Sequence, residues 1–426
     1  MRILLCGATG FIGAHLARRL TEQGHEVIVG SRRRGETPPA SWRHADYALM
    51  HSVPDWLPQL DGIELVINAV GLIAETPGQT FAAVQAEGPA ALFAACDRLG
   101  VRVIQISALG AEQEGELTPF LASKRMADAA LQRLPVESVI LHPSVVIGEG
   151  GRSTALFAML ALLPVVPLPG GGMQRLNPVH VDDLCAVVCH VVQQWPSGKA
   201  RFVIAGPESL SLRELLGLLR SWMGRRQARF LSVPMPLLHA AAMMLEWLFP
   251  AGIIRRSTIA MLQAAKTPAH DYLPCQPLPL SVRLRQTPPS AGYVPSRVLA
   301  TFRPLLLLSL ALVWMATGIV SIGPGHAAGE ALLAQAGISA PARPWLIYGG
   351  GTADLLLGAL LFSPRWRSLV LLLQCLLMLG YTALVSVLLP VAWLSPLGEV
   401  IKNVPMLVVT LMLFMVEPPA SDAARS

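Results

Sequence analysis

Met1-Arg2-Ile3-Leu4-Leu5-Cys6-Gly7-Ala8-Thr9-Gly10-Phe11-Ile12-Gly13 is the stretch that decides the fold. A short apolar run, Arg2–Cys6, breaks into glycines at 7, 10 and 13, and a helical pattern, Phe11–Glu22, follows at once. Glycine lets the chain turn tightly there and lets a pyrophosphate approach backbone N–H groups at a helix start. A lone glycine triplet is a weak sign. Placed directly between an N-terminal strand and a helix, it is a strong one for a dinucleotide-binding unit. Gly7, Thr9, Gly10, Phe11, Ile12 and Gly13 are therefore the first candidate cofactor-binding residues. The apolar start also runs straight into that turn rather than into a cleavage site, so no secretory leader is expected.

Outward from this turn, short Val- and Ile-rich runs recur at Glu26–Gly30, Leu65–Asn68, Val101–Ser107 and Ser138–Pro143. Helical patterns at Thr80–Leu99 and Thr118–Leu134 lie between them, with Gly100 placed to stop the first. The alternation predicts an α/β fold: a Rossmann-type, doubly wound parallel sheet with helices on both faces. From Gly148 to Val233 the pattern loosens into a smaller lobe suited to covering a ligand, with helices over Val179–Gln193 and Leu212–Trp222. The nucleotide-binding domain with this lobe is expected to occupy residues 1–233.

The chain has 426 residues, 53% hydrophobic and only 14% charged. Ten of its 60 charged residues fall in Pro304–Ser426, which reads as membrane-embedded, whereas Met1–Arg303 reads as globular. Apolar segments at Pro304–Ile322, Trp345–Phe362 and Ser368–Leu389 approach the ~20 residues needed to cross a bilayer. A shorter fourth, Val404–Val416, is expected to begin earlier, near Leu397–Ile401. Arg297, Arg303, Arg365 and Arg367 outweigh the bases of the other loops, predicting four spans with both termini cytoplasmic in the inner membrane. Asp354 is an acid inside a span, costly unless it faces a partner, a cavity or a pathway.

Residues 234–303 read as a connector containing an apolar helix at Leu237–Leu248. Between Arg220 and Arg303 there are 11 Lys or Arg and 2 acids. Such a cluster is either a solvated surface or a juxtamembrane segment facing anionic lipid headgroups. No recognition-helix pattern accompanies it, so nucleic acid is not an expected partner. Cys6, Cys96, Cys185, Cys189, Cys275 and Cys375 are scattered and read as reduced, mostly buried thiols. No metal site is expected.

Several further stretches resemble the short-chain dehydrogenase/reductase superfamily, in its extended and atypical, epimerase-like and complex I accessory-subunit-like branches. They are the GxxGxxG turn, Asn68-Ala69-Val70-Gly71, Ile106-Ser107-Ala108-Leu109-Gly110, His142-Pro143-Ser144 and Asn177-Pro178-Val179-His180-Val181-Asp182-Asp183. The resemblance implies that Asn68, Ala69, Val70 and Gly71 stand beside the cofactor. It implies that Pro143 and Ser144 contact the nicotinamide side and that Asp46 borders the adenine. It also implies that Ser107 is catalytic. At the end of the second strand, where NAD enzymes place an acid, this chain has Ser31-Arg32-Arg33-Arg34. Ser31, Arg32 and Arg33 suit a 2′-phosphate, favouring NADP(H) over NAD(H).

Catalytic members of the superfamily use a Tyr-x-x-x-Lys pair; here the segment is Phe120-Leu121-Ala122-Ser123-Lys124. Lys124 remains, but a phenyl ring cannot donate a proton. Lys124 and Ser107 support an unconventional reduction or isomerisation, or Lys124 serves cofactor affinity alone in a sensor or structural subunit. Trp314-Met315-Ala316-Thr317-Gly318, Leu346-Ile347-Tyr348-Gly349, Gly380-Tyr381-Thr382 and Lys402-Asn403-Val404-Pro405 resemble a DoxX-like membrane domain, expected over residues 304–416 as a four-helix transmembrane bundle. The expected partners are membrane lipid and an unidentified small or lipophilic substrate, with a second copy or a membrane redox partner left open.

Overall fold

The computed structural model describes residues 1–35, 38–112, 118–234, 236, 237, 243, 275–394, 398 and 400–417. They divide into two compact units, one ending at Arg297 and one beginning at Val298. The helix expected at Leu237–Leu248 lies outside the described residues apart from Leu237 and Met243.

In the first unit the apolar runs become parallel strands: β1 (Arg2–Cys6), β2 (Glu26–Ser31), β3 (Trp42–His44), β4 (Leu65–Asn68), β5 (Arg102–Ile106) and β6 (Ser138–Pro143). Short pairs outside this sheet join β7 (Val146–Ile147) to β10 (Val179–His180), β8 (Val165–Pro169) to β13 (Arg229–Val233), and β9 (Arg175–Leu176) to β12 (Leu210–Ser211). One strand of the expected lobe, β11 (Ala200–Ile204), instead pairs in parallel with β6. The main sheet therefore runs β11-β6-β5-β4-β1-β2-β3. As an edge strand, β11 lacks the continuous apolar run that betrays the central ones.

Both faces of the sheet are covered, so alternate residues of β1 enter different cores. Leu4 and Cys6 pack with Trp56, Leu92 and Phe93, beneath α2 (Val53–Trp56) and α3 (Gly88–Leu99). Ile3 and Leu5 pack with Leu16, Leu20, Leu184 and Val188, from α1 (Phe11–Glu22) and, later in the chain, α6 (Val181–Gln193). Gly100 ends α3 with φ 69°, as its position in the sequence requires. Between α3 and α6 come α4 (Pro119–Arg133) and α5 (Arg152–Leu162); α7 (Leu212–Trp222) follows.

The resembling stretch around Asp182-Asp183 ties elements together. Arg19 of α1 pairs with Asp182 at 3.0 Å. Asp183 is held by Arg283 of α8 (Leu280–Gln286), whose Leu280 and Leu284 are buried. The described end of the expected connector is thus folded onto the first unit.

The second unit contains α9 (Tyr293–Ile322, whose first turn precedes it), α10 (His326–Gln335), α11 (Arg343–Leu360), α12 (Arg367–Leu388) and α13 (Asn403–Val416). Helix α10 fills what the sequence suggested was a loop; its even mixture of small and apolar residues gives no amphipathic signal. Helix α13 does not begin early, because Val400–Lys402 form a turn before it. Among the described residues two helices, α9 and α12, are long and apolar enough to cross a membrane. Helix α11 carries Asp354 and three consecutive glycines, which dilute its hydropathy. Glycine has a packing use there: a Cβ on Gly318 of α9 would stand 2.5 Å from the Gly351 carbonyl. At one end of the unit Glu417, after α13, accepts from Arg303 and, at 3.1 Å, from Arg367.

Candidate functional site

Strand order reverses between β1 and β4, and a cleft opens at their carboxyl ends, where doubly wound sheets take ligands. Gly7 leaves β1 with φ 83°, in the left-handed region that favours glycine. A Cβ there would stand 2.9 Å from Ala69 backbone atoms, and one on Gly13 would stand 2.1 Å from Gly7 O. Helix α1 follows Gly10, which lines the cleft, with no side-chain cap and no acid in its first turn, so its first N–H groups have no side-chain acceptor. This backbone cradle fits a dinucleotide pyrophosphate. Gly13→Ala is expected to force α1 away from the turn at a stability cost of about 1–3 kcal/mol and to abolish saturable nucleotide binding in calorimetric titration of the full chain. Unchanged binding would show that phosphates sit elsewhere.

Gly7, Thr9, Gly10, Ser31, Arg32, Asp46, Ala69, Val70 and Gly71 line this cleft, with Tyr47, Leu72 and Gln79. Arg33 does not line it. Ser31 Oγ is already engaged, donating to Arg33 O at 2.7 Å and accepting from Trp42 Nε1 at 3.0 Å. Asp46 Oδ1 accepts from Ala48 N at 3.0 Å, which shapes the loop beside the cleft. The Phe11 ring turns away to pack on Gly148 and Gly151, and Ile12 packs on the α1 side of the sheet.

Asn68 is buried beneath the cleft floor. Its Oδ1 accepts from Tyr47 Oη at 3.0 Å and Val70 N at 3.2 Å, and its Nδ2 donates to Gln105 Oε1 at 2.7 Å. Burial pushes the Tyr47 phenol well above its ordinary range, so it stays a neutral donor. Pro143 and Ser144 lie at the end of β6, outside the cleft lining; Ser144 N donates to Ile204 O at 2.8 Å.

Helix α4 presents Phe120, Lys124 and Asp128 at helical spacing along one side. Lys124 is buried, and its Nζ donates to Val70 O at 3.0 Å and Ile106 O at 3.1 Å. A Cβ on Gly71 would stand 3.6 Å from that nitrogen, so the amine lies directly behind the cleft wall. Desolvation pushes its pKa down to about 8, with nearby Asp128 opposing the shift. An ammonium has three donors, and the described structure accounts for two.

Ser107 Oγ donates to Asp128 Oδ2 at 2.5 Å, and the same oxygen meets His142 Nε2 at 3.1 Å. All three side chains are buried. Asp128 and Gln105 were not singled out in the sequence. Asp128 stands one turn after Lys124, where an acid has an amphipathic, solvent-facing explanation, and only the fold shows it turned inward. The Phe120 ring meets Phe81 edge-on at 6.2 Å between centroids, and no phenol occupies that position.

Residues 3–205 match the NAD dependent epimerase/dehydratase family, and residues 311–411 match the DoxX-like family. A ceramide reductase of Caulobacter vibrioides is 32% identical over 189 residues, covering 43% of this chain and 58% of that protein. The mitochondrial NADH dehydrogenase [ubiquinone] 1 alpha subcomplex subunit 9 of Arabidopsis thaliana is 28% identical over 253 residues, covering 55% and 61%. This chain spans about six tenths of the length of these curated relatives. The solved structure of gox2253 covers 71% of this chain and 97% of its own at 21% identity and a TM-score of 0.50, a likeness of fold.

Proposed function

We propose, on the premise that this chain joins an NAD-dependent epimerase/dehydratase family domain to a DoxX-like domain, that it is a membrane-anchored, NADP(H)-dependent reductase of a lipophilic carbonyl compound. The observation that carries this reading is Lys124: a buried amine behind the Gly71 wall, with a pKa of about 8, able to act as an acid near neutral pH. Likeness to a ceramide reductase supports a lipophilic substrate.

A nicotinamide dinucleotide bound in the cleft supplies the hydride. The chain itself would hold the pyrophosphate on the Gly7–Gly13 turn, the 2′-phosphate on Arg32 and the adenine beside Asp46. Lys124 would keep its place through Val70 O and Ile106 O while its remaining N–H serves ribose or substrate oxygen. Ser107 would act through its lone pairs, because its proton is committed to Asp128. Pro143 and Ser144 would border the nicotinamide side.

Cofactor choice is tested by titrating the full chain with both reduced nucleotides. NADPH is expected to bind more tightly, and Arg32→Ala is expected to remove about 1.5–3 kcal/mol of that preference, the worth of a charge-assisted hydrogen bond. Arg33→Ala is expected to do less, since Arg33 lies off the cleft. Equal affinity for NADH in the unaltered chain would overturn the NADP assignment. Turnover is tested in lipid vesicles with long-chain and short-chain ketones and aldehydes, where consumption of NADPH with the long-chain compounds is expected.

A second reading has its own support. Phe120 removes the usual proton donor, and the chain is similar to a complex I alpha subcomplex subunit. On that reading the domain holds NADPH without turnover, as a sensor or a structural subunit of a membrane assembly. Tight NADPH binding with no turnover on any carbonyl compound would favour it.

The C-terminal unit is proposed to cross the inner membrane four times through α9, α11, α12 and α13, with both termini in the cytoplasm. Glu417 joined to Arg303 and Arg367 supports this, because it gathers the start of the apolar stretch of α9, the start of α12 and the end of α13 at one end. Reporter fusions after Ser426 and within Gly323–Pro344 are expected on opposite sides of the membrane. Matching sides would overturn the four-span topology.

A further inference from the structure

Three polar side chains share one stretch of the contact between α11 and α12. Gln374 of α12 donates Nε2 to Leu357 O of α11 at 3.3 Å. Seven residues later the Tyr381 hydroxyl lies over Gly350, 3.1 Å from where a Cβ would stand. These two contacts run antiparallel and bracket Asp354, four residues after Gly350 and three before Leu357. Helical spacing puts all three α11 positions on one side. Asp354 is 6% exposed and Gln374 is fully buried.

Among the described residues, Asp354 Oδ1 and Gln374 Oε1 are buried and have no hydrogen-bond partner. Two unpaired acceptors in an apolar interior are unfavourable, and an ionised carboxylate beside an amide oxygen is worse. One proton on Asp354 changes the chemistry, turning an acceptor into an O–H donor that Gln374 Oε1 can accept.

Among the described residues, no ion pair joins Asp354 to a cation. Helix α9 meets α11 through Gly318, Met315 and Ile322, none ionisable. Helix α10 brings Glu330 and His326, whose ring meets Tyr348, six residues before Asp354, at a tilt of 42° and 5.2 Å between centroids. Helix α12 brings Cys375 and Tyr381, and α13 has no ionisable side chain. The arginines are engaged elsewhere, Arg343 on Ile338 O, Arg303 and Arg367 on Glu417, and Arg365 over the Trp366 ring, and Lys402 stands exposed in the turn before α13.

We propose that Asp354, Gln374 and Tyr381 form a proton-binding site inside the second unit, in which the Asp354 carboxyl carries an exchangeable proton. The site rests on the reading of α11 and α12 as membrane-embedded, where an acid in the bundle interior is costly to keep ionised and proton relays are among the uses it is kept for. Its ligand is the proton itself. Gln374 Oε1 accepts a hydrogen bond from the protonated carboxyl, and the Tyr381 hydroxyl, by Gly350 one turn before Asp354, is placed to donate to the carboxylate once the proton leaves.

The full chain in phospholipid vesicles, compared with Asp354→Asn by infrared difference spectroscopy, tests this. A protonated-carboxyl stretch is expected at neutral pH, completely lost in Asp354→Asn, downshifted in heavy water and bleached as the pH is raised. Gln374→Leu is expected to shift that stretch to higher frequency, because its acceptor is gone, without removing it. A spectrum unchanged by Asp354→Asn, or a stretch that resists both heavy water and alkali, would overturn the site. Release of the chain from the vesicles by an alkaline wash would overturn the membrane reading, and the site with it, by a separate readout.

Discussion

Phe120→Tyr is expected to raise NADPH-dependent reduction of simple aldehydes and ketones by ~10²–10⁴-fold, the usual worth of a positioned general acid. Residue 120 lies one turn before Lys124 on α4, so a phenol there would stand beside an ammonium that favours its ionised form. The ring site is already built, since Phe120 is half-buried and held edge-on by Phe81. One extra oxygen at the ring tip asks for little repacking. Ser107 bounds the size of the gain. Its hydroxyl proton is committed to Asp128, so substrate oxygen would receive donors from the phenol and Lys124 but not from the serine. Asp128→Asn combined with Phe120→Tyr is expected to loosen that commitment and add to the gain. The measurement is kcat for a short aldehyde, with nucleotide affinity recorded alongside. Unchanged kcat with unchanged NADPH affinity would show that the missing phenol is not what limits turnover, and would favour the sensor or subunit reading.

The front half of the fold was legible because its signals are local. A strand buried on both faces must be apolar throughout, as Ile3-Leu4-Leu5-Cys6 is, and a pyrophosphate turn must be glycine where a Cβ would strike Gly7 O. Strand β11 was not legible, since an edge strand can carry Arg201 and still pair with β6. The polar floor was harder still. Asn68, Gln105, Asp128, Ser107 and His142 come from the ends of β4, β5 and β6 and from α4, and nothing in the spacing of those segments announces that they meet. Arg33 shows the converse: residue type and loop point to the cofactor, and the fold places it outside the cleft lining. In the second unit, hydropathy located α9, α11, α12 and α13 but neither α10 nor the helix ends. Asp354 stood out for its cost alone, whereas its bracketing by Gln374 and Tyr381 depends on the register of two antiparallel helices, which no single segment encodes.

Lys124 makes the sharpest claim about pH. If the ammonium supplies the proton in reduction, kcat is expected to be level below about 8 and to fall roughly tenfold per unit above it. Its depressed pKa has a second consequence with the opposite slope. Between about 8 and 10.5 the unfolded chain binds a proton that the folded chain has shed, so folding stability should rise with pH across that window while activity falls. Lys124→Met removes the donor and should lower kcat by ~10²–10⁴-fold. It also leaves Val70 O and Ile106 O without their partner, at a cost of roughly 1–3 kcal/mol for each buried acceptor left unpaired. Lys124→Arg separates these effects. A guanidinium stays charged throughout the accessible range, so it can keep donating to the two carbonyls but gives up a proton far less readily. The arginine variant is therefore expected to bind NADPH and fold, with low activity and no inflection near 8. Should Lys124→Arg instead retain full kcat with the same alkaline decline, the proton comes from another group, and Lys124 is left the task of holding the cofactor against the wall at Gly71.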